Sequence, residues 1–255
     1  MPNVYTFKDF DGSSHRILID LIRQYGAVRA GVVQAGVVRA SGALSEGAPE
    51  ARTTPACTTR RLLDLGAAGG HLGRELRDAF DETIGFEYNV DCIGELRGCF
   101  DQVVIADLER VAALPSNLDA VVLADVLEHL VRPKRVLELV HQSLKDNGRA
   151  FISVPNIANI TIRLGLLFGV FEYRERGILD HTHLRFYTMR TFRREVESAG
   201  FRILAVRGSS VPVRLIVDGY VPNFILRPIE RVLTWITRLW RSLFAYQFVV
   251  VAAKK

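Results

Sequence analysis

The chain has 255 residues, 49% of them hydrophobic and 24% charged, and 33 basic against 28 acidic side chains leave a formal charge of +5. That length can bury one large core, and the modest positive balance, without a basic helix in a base-reading context, sets aside dedicated nucleic-acid binding while suiting a weakly anionic partner or membrane surface. Cys57, Cys92 and Cys99 contain no CxxC pair, so neither a disulfide framework nor a zinc cage is indicated and a reducing cytoplasm is expected. No basic-then-apolar leader opens the chain, and no secretion signal is expected.

Residues 1–12 show no clear period. Ser13 or Ser14 can cap a helix carrying Ile17, Leu18, Leu21 and Ile22 on one face, with His15 and Arg16 in its first turn. Residues 1–25 are therefore read as an N-terminal helical segment. From 26 to 60 the composition changes to Ala, Gly, Val, Thr and Arg, with a near-repeat at Ala30-Gly31-Val32-Val33 and Ala35-Gly36-Val37-Val38. So few large side chains predict a flexible insertion or linker.

Residues 62–65 read as a short buried strand around Asp64, followed by a run of Gly and Ala and then by Leu72, Leu76 and Phe80 at helical spacing. Strand, glycine turn and helix in that order bring backbone N–H groups to a ligand beside the helix N-terminus, as in nucleotide-binding sheets. A second strand, 83–86, ends in Glu87, whose two oxygens can accept from both vicinal hydroxyls of a ribose. A third, 103–106, closes at Asp107-Leu108. The fourth, 118–124, is almost wholly apolar, as a parallel strand covered on both faces should be, and it ends in Asp125-Val126-Leu127-Glu128-His129. Pro133 starts a helix that buries Val136, Leu137, Val140 and Leu144 and stops at Gly148, before a fifth strand at 150–154.

The pattern Asp64-x-Gly66-x-Ala68-x-Gly70 resembles the first motif of the class I S-adenosylmethionine-dependent methyltransferases. Ala68 replaces the second glycine of the dinucleotide fingerprint, which makes a nicotinamide enzyme the weaker match. The resemblance implies an α/β, Rossmann-like class I fold over 61–255: a mostly parallel seven-stranded sheet, helices on both faces and an antiparallel last strand. It also implies S-adenosylmethionine as cofactor, held by Asp64, Gly66, Ala68 and Gly70, with Glu87 on the ribose, Asp107 and Leu108 on the adenine, and Ala124 and Asp125 at the methionine end. Asp125-x-x-Glu128-His129 is similar to the Glu-x-x-Glu-His of ubiquinone-biosynthesis O-methyltransferases, some of which use a divalent metal. Such a set suits magnesium, but capping or local pairing by Glu128 accounts for it as well, and no metal site is assigned.

Residues 157–187 are extra to the minimal sheet. Ile160, Leu164, Leu167 and Phe168 predict an apolar helix, and Asp180-His181-Thr182-His183-Leu184-Arg185 gathers two histidines, an acid and an arginine. This stretch resembles a bacterial methyltransferase subgroup often associated with cell-surface glycan assembly. Methyl transfer is an in-line displacement in which alignment supplies much of the rate, and a hydroxyl acceptor must also lose a proton, for which His is the natural base. His129, His181 and His183 are the candidates. His181 or His183 is favoured, with Asp180 orienting the base and Arg185 holding an anionic substrate group.

Thr188 can cap a helix reaching Gly200, and strands follow at 201–206 and 246–252. Within 208–244, Ile225, Ile229, Val232, Leu233, Ile236, Leu239, Trp240 and Leu243 recur at helical spacing, with Arg231, Arg238 and Arg241 off that stripe. Charges interrupt every window of membrane-spanning length. A basic, Trp-bearing helix lying on an anionic bilayer and a helix covering the sheet or a homodimer partner fit equally. The expected reaction is O-methylation of a hydroxyl on a glycan, lipid-linked or quinone-like acceptor, in the cytoplasm or at the inner face of its membrane. A non-catalytic binding module on the same fold and an NAD-dependent oxidoreductase are the alternatives.

Overall fold

A computed structural model describes residues 12–26, 59–213, 217 and 221–255. The linker expected at 26–60 falls, from 27 to 58 and including Cys57, outside the described residues. The strands β1 (Arg61–Leu65), β2 (Glu82–Glu87), β3 (Gln102–Ile105), β4 (Leu118–Ala124), β5 (Leu144–Pro155), β6 (Phe201–Gly208) and β7 (Gln247–Lys254) form one sheet in the order β3-β2-β1-β4-β5-β7-β6. The first five pair in parallel, whereas β7 runs antiparallel to both β5 and β6. This is the expected mostly parallel sheet with an antiparallel last strand. Its order reverses between β1 and β4, so the crevice for a ligand opens at their carboxyl ends.

Strand periodicity divides the core into two layers. Leu62, Ala120, Phe151, Val249 and Val251 face α1 (Ser14–Leu21) and α2 (His71–Leu76). On the opposite face Leu63, Val121, Ile152 and Val250 meet α4 (Pro133–Ser143) and α6 (Met189–Ser198), while the short α3 (Ile93–Leu96) joins a satellite cluster around Phe100. The Ser13 hydroxyl accepts from Arg16 N at 3.2 Å to cap α1. Leu18, Ile19 and Ile22 are then fully buried, each contributing roughly 1.5–3 kcal/mol. An eight-residue helix that would be marginal alone is thereby held by the sheet.

Three stretches differ from expectation or resolve an open one. The helix after Pro133 ends at Ser143 rather than Gly148, because Leu144 pairs with Leu118 and already belongs to β5; pairing then jumps to Arg149 opposite Ala120, an irregularity that leaves 145–148 of β5 out of register with β4. The apolar helix of the 157–187 segment forms as α5 (Ile160–Leu167), but none of its residues is buried. In α7 (Asn223–Leu239), which precedes α8 (Arg241–Phe244), Leu226 is buried, whereas Ile225, Ile229, Val232, Leu239 and Trp240 are exposed. The other stripe residues, Leu233, Ile236 and Leu243, are partly buried. Among the described residues no helix is long and apolar enough to cross a membrane.

Candidate functional site

The bend after β1 is fixed by its neighbours. Gly66 N and Ala67 N both donate to the carbonyl of Phe86, at 2.8 and 3.0 Å, which pins the bend to the end of β2. Gly66 has φ 76° and a Cβ there would lie 2.7 Å from Cγ2 of Val126, so both conformation and space demand glycine. Ala68 is also left-handed, at φ 44°, a conformation that costs an L-residue roughly 1–2 kcal/mol. Its N–H donates to Glu87 Oε2 at 2.8 Å, while Glu87 Oε1 accepts from Tyr88 N and Asn89 N, each at 2.9 Å. The acid at the tip of β2 is thus folded onto the bend.

Asp64 lies beneath the bend, 1% exposed. Burial first and the charge of Glu87 second push its pKa up to about 8, so the carboxyl is neutral at pH 7. Its Oδ1 is buried with no hydrogen-bond partner among the described residues, an opening for a donor carried by a ligand. Asp107 behaves differently from Glu87: Oδ1 accepts from Glu109 N at 2.9 Å and Oδ2 meets Arg110 Nε at 3.3 Å, so it caps its own turn. Leu108 packs on the core, and its carbonyl accepts from Arg135 Nη1 at 3.4 Å.

At the tip of β4, beyond Ala124, Asp125 is buried with φ 56°. Ser153 Oγ donates to its Oδ1 at 2.6 Å and Gln247 Nε2 to its Oδ2 at 2.5 Å, fixing the carboxyl from β5 and β7. A tight turn, Leu127–His129, follows. The carbonyl of Glu128 accepts from Leu184 N at 2.9 Å and Arg185 N at 3.0 Å, which lays the 178–187 segment across this turn.

His183 is half-buried in that segment. Its Nδ1 lies 3.1 Å from the carbonyl of Ile178, and since a carbonyl only accepts, Nδ1 carries the proton and Nε2 keeps a lone pair. Burial foremost, aided by the charge of His129, holds its pKa below the ordinary His value. His129 stands edge-on to it, ring centroids 4.8 Å apart, and its Nδ1 faces the carbonyl and hydroxyl of Thr182 at 3.3 and 3.1 Å. Glu128, His129 and His183 offer one ligand atom each within 4.8 Å of one another. Gly177, at φ 101°, admits the hydroxyl of Tyr246, which a Cβ would approach to 2.8 Å. Phe186 joins His183, 6.3 Å away, to an outer pair of rings, Phe171 and Tyr173, making an aromatic rim.

The structure places three further expected residues on the turn and its backbone. His181 is exposed and its Nδ1 faces the Arg174 carbonyl at 3.3 Å, outside the His129–His183 pair. Asp180 Oδ1 accepts from Thr182 N and Oγ1 at 2.8 and 2.7 Å. Burial raises its pKa, but these bonds outweigh burial and hold it low; Asp180 builds the turn and lies 3.7 Å from His181 Nδ1. Arg185 directs its guanidinium to the carbonyls of Leu130 and Val131, a backbone clamp. Sequence reading missed Ser153, Gln247 and Tyr246, whose signal was a polar side chain in or beside an otherwise apolar strand.

A parallel sheet whose order switches beside a side-chain-free bend, with an acid folded onto that bend, defines an α/β domain that receives a nucleoside-bearing cofactor. The model of the methyltransferase domain family matches residues 25–206, and the chain belongs to that family, whose methyl donor is S-adenosylmethionine. Among curated relatives, the ubiquinone biosynthesis O-methyltransferase of Aeromonas salmonicida is 27% identical over 158 residues, 58% of this chain and 66% of the relative. The mitochondrial ubiquinone biosynthesis O-methyltransferase of Homo sapiens is 28% identical over 160 residues, spanning 58% of this chain but 43% of its own length. Among solved structures, a SAM-dependent methyltransferase from Archaeoglobus fulgidus superposes with a TM-score of 0.52 at 23% identity, covering 77% of this chain and 86% of the other. One from Mesorhizobium loti does so with a TM-score of 0.51 at 16% identity, covering 78% and 93%. These two share the fold.

Proposed function

We propose that the protein is an S-adenosylmethionine-dependent O-methyltransferase acting on a hydroxyl of a quinone-like, lipid-linked or glycan acceptor. The observation that carries the reading is His183, whose proton sits on Nδ1 against the Ile178 carbonyl at 3.1 Å and whose Nε2 is left to accept another.

The cofactor fits the residues present. Glycine at 66 lets the bend turn tightly against Val126 without a side chain of its own, Asp64 Oδ1 is a buried acceptor awaiting a donor, and Glu87 already faces the bend. In this reading the backbone at Gly66, Ala68 and Gly70 cradles the amino-acid and ribose parts, and Glu87 accepts from the ribose hydroxyls. Asp107 and the Leu108 backbone meet the adenine, and Asp64, Ala124 and Asp125 border the methionine end. When bound, the cofactor supplies an electrophilic methyl group on a sulfonium, so the protein has to align the acceptor oxygen and receive its proton. His183 Nε2 would take the acceptor's proton as the acceptor oxygen displaces the sulfur from the methyl carbon, the carbon–sulfur bond breaking to leave the neutral thioether. Asp180 and Arg185 act at one remove, holding the turn and the segment that present the imidazole. Phe171, Tyr173 and Phe186 favour an acceptor with a planar or apolar portion.

A second reading rests on Glu128, His129 and His183. Their ligand atoms, within 4.8 Å of one another, would hold a divalent cation, which would lower the pKa of the acceptor hydroxyl in place of a base. As partner, residues 225–243 imply an anionic membrane surface, with a second copy of the chain as the alternative.

Transfer of labelled methyl to a panel of hydroxylated quinone-like, lipid-linked and glycan acceptors tests the reading, alongside thermal stabilisation by S-adenosylhomocysteine and by NAD. Product in one class, with stabilisation by S-adenosylhomocysteine, is expected. Stabilisation by NAD alone would put the nicotinamide oxidoreductase in its place, and cofactor binding without transfer to any acceptor would leave a binding module.

A further inference from the structure

The α7 helix buries Leu226 and half-buries Leu233 and Ile236, yet it leaves a second apolar face in the open. Its polar side chains Thr234 and Thr237 turn to the body: Thr237 is 3% exposed, and a Cβ on Gly12 would lie 3.1 Å from Thr234 Oγ1. Five other apolar side chains turn outward: Trp235 is 62% and Leu239 67% exposed, accompanied by Ile225, Ile229 and Val232. At about 100° per residue, Arg227, Arg231 and Arg238 form a row between the body-facing arc and the apolar arc. Glu230 is the one acid on the helix.

Three residues beyond Leu239, Ser242 lines a cleft together with Thr188, Arg163, Arg190 and Arg193. Arginine side chains from α5 and α6 therefore line one cleft beside the end of α7, where Arg163 Nε also donates to the Ala158 carbonyl at 2.7 Å. Glu197 offsets one of them, 3.7 Å from Arg193.

We propose that the outward face of α7 and this arginine cleft together dock the protein on an anionic lipid bilayer, with the cleft seating a headgroup phosphate. An apolar stripe bearing Trp, bordered by a row of arginines, matches the layering of acyl chains, interface and anionic headgroups. A second copy on the same face would set the two arginine rows against each other with one acid per helix to compensate, which disfavours a symmetric pair. The docking face deepens the membrane-surface reading of the partner. It does not depend on the methyl-transfer reading, because vesicle binding is read with no acceptor present.

Flotation of the full chain with vesicles of phosphatidylcholine alone, or mixed with phosphatidylglycerol, tests it. Binding is expected to the mixed vesicles, falling as salt is raised. The double variant Trp235→Glu, Leu239→Glu is expected to abolish it, and Arg163→Glu, Arg190→Glu to weaken it roughly tenfold or more. Both variants change exposed side chains, and unaltered stabilisation by S-adenosylhomocysteine would show that they remain folded. Wild-type protein left unbound with both vesicle types, or binding unchanged in the Trp235, Leu239 variant, would overturn the proposal. So would a dimer in sedimentation velocity that this variant converts to monomer while the wild type ignores vesicles.

Discussion

The backbone N–H of Ala68 donates to Glu87 Oε2 over 2.8 Å, joining the bend after β1 to the tip of β2 before any ligand arrives. In the proposed function the same carboxylate would also receive the ribose hydroxyls, and would then both shape the bend and read the cofactor. Glu87→Ala removes both contributions, and hydrogen bonds to a charged group are worth about 1.5–3 kcal/mol. Affinity for S-adenosylhomocysteine, measured by titration calorimetry, should fall roughly tenfold to a hundredfold. Unchanged affinity would mean that Glu87 serves the bend alone.

His183 and His181 make opposite predictions. His183→Ala should lower kcat by roughly 10²–10⁴-fold with cofactor affinity preserved, whereas His181→Ala should leave turnover near normal because that ring lies on the exposed side of the turn. The base works only when deprotonated, and burial holds the His183 pKa below 6.5. Activity should therefore rise with pH through a midpoint below 6.5 and be level above it. A midpoint above that value, or a normal rate in His183→Ala, would remove the assignment.

Chelation separates the base from the cation reading. If His183 Nε2 takes the proton directly, dialysis against EDTA should leave turnover unchanged. Loss of activity that magnesium or manganese restores would transfer the role to the Glu128, His129 and His183 set.

What could be read from the chain alone follows from what each pattern encodes. The fourth strand, 118–124, coincides with β4 because a continuous apolar run bounded by polar residues has one good reading in a covered sheet. Leu144 fits both the helical stripe and the first pair of a strand, and only the pairing with Leu118 decides between them. Periodicity reveals that residues 225–239 carry an apolar stripe, but a stripe has no label for which way it faces, so the exposure of Ile225, Ile229, Val232 and Leu239 stayed hidden. Ser153 and Gln247 reach Asp125 only because β5 lies between β4 and β7, an adjacency that depends on the whole sheet. The clamp formed by Arg185 is hidden for a similar reason, since its acceptors are backbone carbonyls 54 and 55 residues away.

Asp64 predicts an exchange of stability against cofactor binding. Its pKa is near 3.8 when unperturbed and about 8 in the fold, so between those values the unfolded chain has lost a proton that the folded one retains. Stability without cofactor should therefore decrease as pH rises across that interval, by up to roughly 1.4 kcal/mol per unit, and level off above it. Asp64→Asn cannot ionise and escapes this loss. It should melt higher than wild type at pH 8, with the gain shrinking towards pH 4, and it should bind S-adenosylhomocysteine more weakly where a cationic donor on the ligand ionises the wild-type carboxyl, since the amide keeps an acceptor oxygen but cannot supply the charge. Equal melting temperatures across the range would show that Asp64 is ionised in the fold and compensated there, and the neutral-carboxyl account of the bend would fall with it.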